Sequence, residues 1–537
     1  MAGSNYALQS LRILVVFVLA AAATTIVVPR AKSPCTYSVS RTILDVTGLD
    51  PYLITCAGDA SEASLSDGAD AGKKAGSGGP IVTDINLCGD PDPPDYPVPP
   101  FYCCPPASAS EPVNFTFPDP ADQPLRTRRP AHEAGAGHMA KYKRAVALMK
   151  ALPRRGTRSC PFHLAYLYFF ERIAAKLLGD PGFALPFWSW DVPDGMRMPV
   201  DFADQASPLY HKRRSPLHWP PRVSDLEFMF EESNLTDEQQ IQRNLWVMHK
   251  QMITNAPLPS LFLGQPYRTG DAAMAGPGSV EFCPHNNMHV WTGDIRYPNV
   301  EDMGIYYASG RDPIFYAHHA NIDRLWEAWR RIVTARSNGT QRVDLTDPDW
   351  LDSSFLFYDE EARLVRVTVR DTLDMGRLRY VYDGVGLPWL DARPPTTPGV
   401  KGERSHLKFV RFPVSLDASA VTVEVSRPEE PPRSRQEEVL VVEGIEVDSG
   451  SSVKFDVYVN AMEYHKVRTG GRELAGTFVT LKQPGREGET MKTSMRVALN
   501  DLLEDLGAER DGSVTVTLVP VKGKVRIGGL RIVYVAE

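Results

Sequence analysis

Two neighbouring segments, GSVEFCPHNNMHVWTGD (278–294) and RDPIFYAHHANIDRLWEAW (311–329), carry four of the chain's twelve histidines in a pattern suited to a metal ion. His285 and His289 are four residues apart, which puts both imidazoles on one face of a helical turn. On its own such a pair reads equally well as surface histidines. In the second segment Asp312 is placed to cap a helix, Pro313 fits its first turn, and His318-His319 follow about two turns in. A third ligand is thus available from one of the adjacent histidines, of which only one is expected to face the metal. Asp323, four residues beyond His319, is expected to accept the second ring N–H of that histidine and fix its orientation.

Outward from this region the helical pattern continues. AKYKRAVALMKAL (140–152), PFHLAYLYFFERIAAKLLG (161–179, closed by Gly179-Asp180-Pro181) and DEQQIQRNLWVMHKQMI (237–253) have the spacing of core-facing helices. After Asp349 the texture changes to β-branched alternation, as in RLVRVTVRDT, SVKFDVYVN and SVTVTLVPV. The expected fold is therefore an α+β multidomain chain, a mainly helical bundle followed by an all-β, sandwich- or jelly-roll-like domain. The divisions expected are 1–30 (targeting peptide), 31–125 (Pro/Gly/Cys-rich arm), 126–346 (helical domain), 347–390, 391–416 (Pro/Gly linker) and 417–537 (β domain).

The net charge of −7 supplies no basic field for phosphate backbones, which argues against nucleic acid as a partner. The apolar run Ile13–Val28 reads as a signal peptide, since a span needs roughly twenty residues. No membrane span is expected after its removal. Six of the seven cysteines precede residue 161, and with sequons at Asn114, Asn234 and Asn338 they fit an oxidising, secretory route.

Together the two histidine segments resemble the CuB half of the plant polyphenol oxidases, the tyrosinase/catechol oxidase branch of the type-3 copper proteins. RRPAH (128–132), GDPGFALPFWSWD (179–191), DPDWLDSSFLFYDE (347–360), RYVYDGVGLPWL (379–390) and SSVKFDVYVN (451–460) extend the resemblance over nearly the whole chain beyond Cys88. It implies a dinuclear copper centre in a four-helix bundle, with a phenolic small molecule and O2 as partners and an o-quinone as product. His285, His289 and His319 would be the CuB ligands, with His318 a neighbour. Glu281 and Asn286 would orient a water that deprotonates a phenol, and Tyr306 would be an aromatic gate over the substrate. The β domain would shield the copper entrance. Vacuole or extracellular space is the expected destination, with the thylakoid lumen as the alternative.

One part of the pattern is missing. The family's CuA half supplies three histidines, and only the third is recognisable, as His163 in PFHLAYLYFFER; the block expected around Cys160 is absent. The same block would hold a disulfide partner for Cys103 or Cys104, the other of which pairs with Cys88; Cys160 is a candidate for the vacated place. Loss of covering helix is expected to expose Phe162, Tyr166, Phe169 and Phe170. Two functions follow from the resemblance: a copper oxidase of o-diphenols, or an inactive or single-copper relative that keeps the fold, arising from missing coding sequence or divergence.

Overall fold

The computed structural model describes residues 111–151, 167–265, 276–297, 299–305, 309–333, 341–403, 405, 407, 409–429, 436–480 and 488–536. The targeting peptide, nearly all of the N-terminal arm, Cys88, Cys103, Cys104, Cys160, Phe162, His163, Tyr166 and Tyr306 lie outside these residues.

Five helices carry the first domain: α1 (Gly135–Ala151), α2 (Leu167–Leu178), α3 (Asp237–His249), α4 (Asn286–Thr292) and α5 (Ile314–Arg331). Their ends follow from local chemistry. Thr236 and Gln239 form a reciprocal capping box at the start of α3. Asp312 accepts the Ile314 N–H at 3.0 Å and so satisfies one of the free donors opening α5. Gly179, with φ +64°, turns the chain out of α2 in a conformation that costs other residues a Cβ clash.

The expected exposure of the aromatic face of α2 is overturned for the residues described. Phe169 and Phe170 are each 1% exposed. Phe169 packs on Phe115 (ring centroids 4.9 Å apart) and Phe357 (5.1 Å), and Phe170 stacks on Tyr316 at 4.0 Å. The cover comes from the N-terminal segment, from the middle region, from α5 and from Tyr142 of α1.

One buried ionic node ties these parts together. Strands β2 (Arg126–Arg128) and β5 (Tyr380–Tyr382) pair in parallel. From β2 the Arg128 guanidinium donates to Glu171 of α2 at 2.7 and 3.0 Å and to Asp323 of α5 at 2.7 Å. From β5 the hydroxyls of Tyr380 and Tyr382 donate to the same Asp323 oxygen at 2.8 and 2.5 Å. Burial pushes the Glu171 carboxyl up, but Arg128 and Arg126 outweigh it and hold it below the ordinary range. Asp323, with more burial than charge to compensate, is raised.

The C-terminal domain is two antiparallel sheets, which confirms the expected architecture. One orders Leu474–Thr480 (β10), Val453–Val459 (β9), Ser513–Lys522 (β12) and Val421–Ser426 (β7). The other is centred on Glu437–Asp448 (β8), which pairs with Thr490–Ala498 (β11), Val525–Ile527 (β13) and Gly529–Val535 (β14). On β9, Val453, Phe455, Val457 and Val459 are fully buried in the domain core, and the alternation sends Lys454 and Asp456 to the other face. That face meets the helical domain: Lys454 and Thr477 line a small polar cavity with Glu227, Lys250 and Asn287. Beside it, Phe282 packs on Phe478 at 5.7 Å.

Removing Arg128 takes the shared guanidinium from two buried carboxylates and leaves Glu171 to Arg126 and Asp323 to the tyrosine hydroxyls; breaking such a buried pair typically costs about 3–5 kcal/mol. Arg128→Ala is expected to lower the unfolding free energy by that order in chemical denaturation, with Arg128→Lys in between because it keeps charge but not the fork. A loss of less than about 1 kcal/mol would show the node to be incidental.

At the domain boundary, burial would raise Glu227, but Arg243, Lys250 and Lys454 together hold its carboxyl down at about 2. A folded pKa below the unfolded value of about 4.3 gives stability that is complete above that pH and is lost as pH falls toward the folded value. Glu227→Gln should therefore lower the melting temperature at neutral pH, and the gap to wild type should close in acid. A gap that does not change with pH would refute the assignment.

Candidate metal centre

His285 ends a π-helical turn, Glu281–His285, that feeds directly into α4. The turn cannot be an ordinary α-helix because Pro284 lacks an N–H and Cys283 has extended backbone (φ −154°, ψ 126°). Gly278, which precedes it, lies so close to the Phe262 carbonyl that a Cβ there would collide with it. His289 is one turn further along α4, and His318 and His319 face it from α5.

The hydrogen bonds on the far side of the rings assign their protons. The His285 Nδ1 lies 3.0 Å from the Asn286 side-chain oxygen, and the His289 Nδ1 lies 2.8 Å from the Met303 carbonyl. Both partners accept only, so Nδ1 carries the proton and Nε2 a bare lone pair in each ring. These nitrogens converge: His289 Nε2 is 3.2 Å from His285 Nε2 and 3.1 Å from His319 Nε2. Four ligands on a tetrahedral ion with bonds of about 2.0 Å stand about 3.3 Å apart, so the spacing fits one metal ion. Imidazole donors suit copper and zinc alike.

All of these rings are buried, and burial is the main reason their pKa values fall: His289 to about 4, His285 and His319 well below the ordinary value. Protons therefore do not compete for the lone pairs at neutral pH.

One ring nitrogen of each of His285, His289, His318 and His319 lies within 4.8 Å of the others, so His318 stands beside the three expected ligands. Trp190 holds His318 there, its indole N–H donating to His318 Nδ1 at 3.0 Å. Asp323 does not orient His319. It lies a turn below on α5, where Arg128, Tyr380 and Tyr382 occupy it with stronger or better-placed donors.

Glu281 is buried at the start of the π-helical turn. Asn286, expected to help hold a water, also braces His285. Tyr306 and His163 fall outside the described residues. Among the described residues the other histidines are engaged elsewhere: His211 with Asp302, His218 with Glu232, His249 with the Trp389 carbonyl, His132 with Ser189, His138 stacked on Phe183, and His465 beside Tyr464 in the β domain.

Sequence reasoning missed Trp190 and the segment that presents it. Asp191 accepts from Asn321 (3.0 Å) and from Trp389 (2.9 Å) and pairs with Arg324, clamping residues 188–191 against α5. The available signal was the WSWD tetrad itself, because a buried indole N–H needs an acceptor.

Comparison with known proteins follows this geometry. Residues 150–332 match the common central domain of tyrosinase, 344–395 the polyphenol oxidase middle domain and 412–534 the chloroplastic polyphenol oxidase C-terminal domain. The chain is 43% identical over 509 residues to a chloroplastic polyphenol oxidase of Malus domestica, covering 84% of each protein. To aureusidin synthase of Antirrhinum majus it is 42% identical over 498 residues, covering 83% of this chain and 86% of that one. The solved structure of latent apple tyrosinase superposes with a TM-score of 0.72 at 42% identity, over 79% of this chain and 100% of that one.

Proposed function

The chain belongs to the plant polyphenol oxidase family, and from that premise we propose that it oxidises o-diphenols to o-quinones with dioxygen, using copper held by His285, His289 and His319. The observation that carries this reading is the convergence of three Nε2 atoms at 3.1–3.2 Å, two of them with their protons placed on the opposite nitrogen by Asn286 and Met303.

Copper held there would pass electrons from the diphenol to dioxygen. Each diphenol gives up a pair of electrons and a pair of protons, so a pair of diphenols is oxidised for each dioxygen reduced fully to water. Glu281, a buried carboxylate four residues before His285, is positioned on the same turn to receive a phenolic proton. Asn286 and Met303 keep the ligand lone pairs pointed inward, and Tyr306 is proposed as the aromatic gate. Aureusidin synthase among the relatives argues for naming the substrate class, a diphenol, and no particular compound. The chloroplastic names of the relatives favour the plastid alternative over the secretory route for this chain.

The test is copper content together with catechol oxidation and oxygen uptake by the full chain loaded with copper. Quinone formation with oxygen uptake is expected, and His289→Ala should lose about one equivalent of copper and reduce turnover at least about a hundredfold. Copper bound without oxygen uptake would overturn the oxidase reading and leave the single-copper relative.

We also propose that the β domain holds the enzyme latent. Proteolytic cutting within 391–416 should raise catechol oxidation several-fold, and unchanged activity after clean separation of the domains would sink this.

A further inference from the structure

His318 has no role in the reading above, yet it is fully buried and its ring stands among the ligands. Ring centroids lie 5.3 Å from His285, 4.8 Å from His289 and 5.0 Å from His319. Its Nδ1 is taken by Trp190, and an indole N–H can only donate. An imidazole that accepts at Nδ1 has no proton there, which excludes the doubly protonated ring and puts the single proton of the neutral one on Nε2. Among the described residues that Nε2 is buried with no hydrogen-bond partner. Nε2 of His318 is thus a donor, where His285 and His289 present lone pairs, and a protonated nitrogen is not a metal ligand.

We propose that His318 is not a fourth ligand but a fixed hydrogen-bond donor, held by Trp190, for the acceptor atom of an anionic or oxygen-bearing molecule that enters the three-histidine centre. A phenolate oxygen is the acceptor that the oxidase reading supplies; a small anion offers the same chemistry. The proposal rests on that centre binding a metal.

Two physical points support it. A buried donor without a partner has lost its hydration uncompensated, so a cluster that keeps one gains when an acceptor arrives. The Asp191 clamp on Asn321, Arg324 and Trp389 fixes Trp190 relative to α5, so the donor is oriented before any ligand binds.

The experiment uses the full chain loaded with copper(II) and azide as the probe anion, reading copper per chain, the nitrogen hyperfine pattern in the electron paramagnetic resonance spectrum, and the azide dissociation constant. His318→Leu should keep wild-type copper content and nitrogen pattern while weakening azide about tenfold or more. His318→Gln, whose amide can accept from Trp190 and donate inward, should recover part of that loss. Trp190→Phe leaves the histidine in place, frees its tautomer and should weaken azide similarly, so the proposal remains testable if His318→Leu does not fold. Loss of copper or of a nitrogen coupling in His318→Gln would make His318 a ligand and overturn the proposal. Unchanged azide affinity in all variants would reduce it to packing. A wild-type chain that takes up no copper would instead defeat the metal-centre reading on which the proposal rests.

Discussion

Arg128 holds two buried carboxylates from two helices at once, and the placement of the metal-binding residues depends on it. Its fork meets Glu171 on α2 squarely, and the remaining donor reaches Asp323 on α5, while Tyr380 and Tyr382 complete the shell of that second carboxylate. A buried ion pair is weak evidence of net stability, because desolvation offsets much of the attraction. What it supplies is position. Asp323 lies one turn beyond His319, so fixing its carboxylate fixes the rotation and height of α5, and with them the direction in which His318 and His319 project. The unequal pKa shifts of the two acids fit this arrangement: Glu171 takes the bidentate charge, and Asp323 is bonded largely by neutral hydroxyls.

The second constraint is the segment that ends in Trp190 and Asp191. It joins α5 by hydrogen bonds to Asn321, Arg324 and His318, three residues on successive turns of one face. Helix α5 is therefore gripped from two sides, by β2 and β5 through Asp323 and by the tryptophan segment through Asn321. α4 is held on its own account by the Asn287 amide donating to the Phe228 carbonyl at 3.0 Å, by the Ser215 N–H on the Thr292 carbonyl at 3.1 Å and by His218 stacked on Trp291 at 4.6 Å, while Met303, the close approach at Gly278 and the Phe282–Phe478 contact hold its entry.

The sequence revealed the elements better than it revealed their mutual contacts, for physical reasons. The i, i+4 pair His285/His289 and the capped helix carrying His318-His319 are local features, and locality is what periodicity records. The core alternation of β9 was equally legible. Asp323 was assigned to the wrong partner because helical spacing gives direction along α5 but not which side chains arrive from elsewhere; Arg128 and Tyr382 are 195 and 59 residues away. The burial of Phe169 and Phe170 escaped for the same reason, since their cover comes from Phe115, Tyr316 and Phe357. Tertiary partners decided each case.

β9 shows how one strand can serve two masters. Its inward side chains are apolar and fully buried, so the β domain has a core of its own. Its outward pair, Lys454 and Asp456, is charged, and Lys454 meets Glu227 and Lys250 across a polar cavity beside the turn that carries Glu281 and His285. Apolar contact joins the domains as well: Phe282 packs on Phe478, and Leu261 clusters with Val439, Val441 and Ala498. These charges are buried, so salt screens them little, and Glu227 is held low by cations of both domains, Arg243 and Lys250 on one side and Lys454 on the other. The β domain is therefore tied to the helical domain by buried charge and apolar packing together, beside the turn that carries Glu281 and His285.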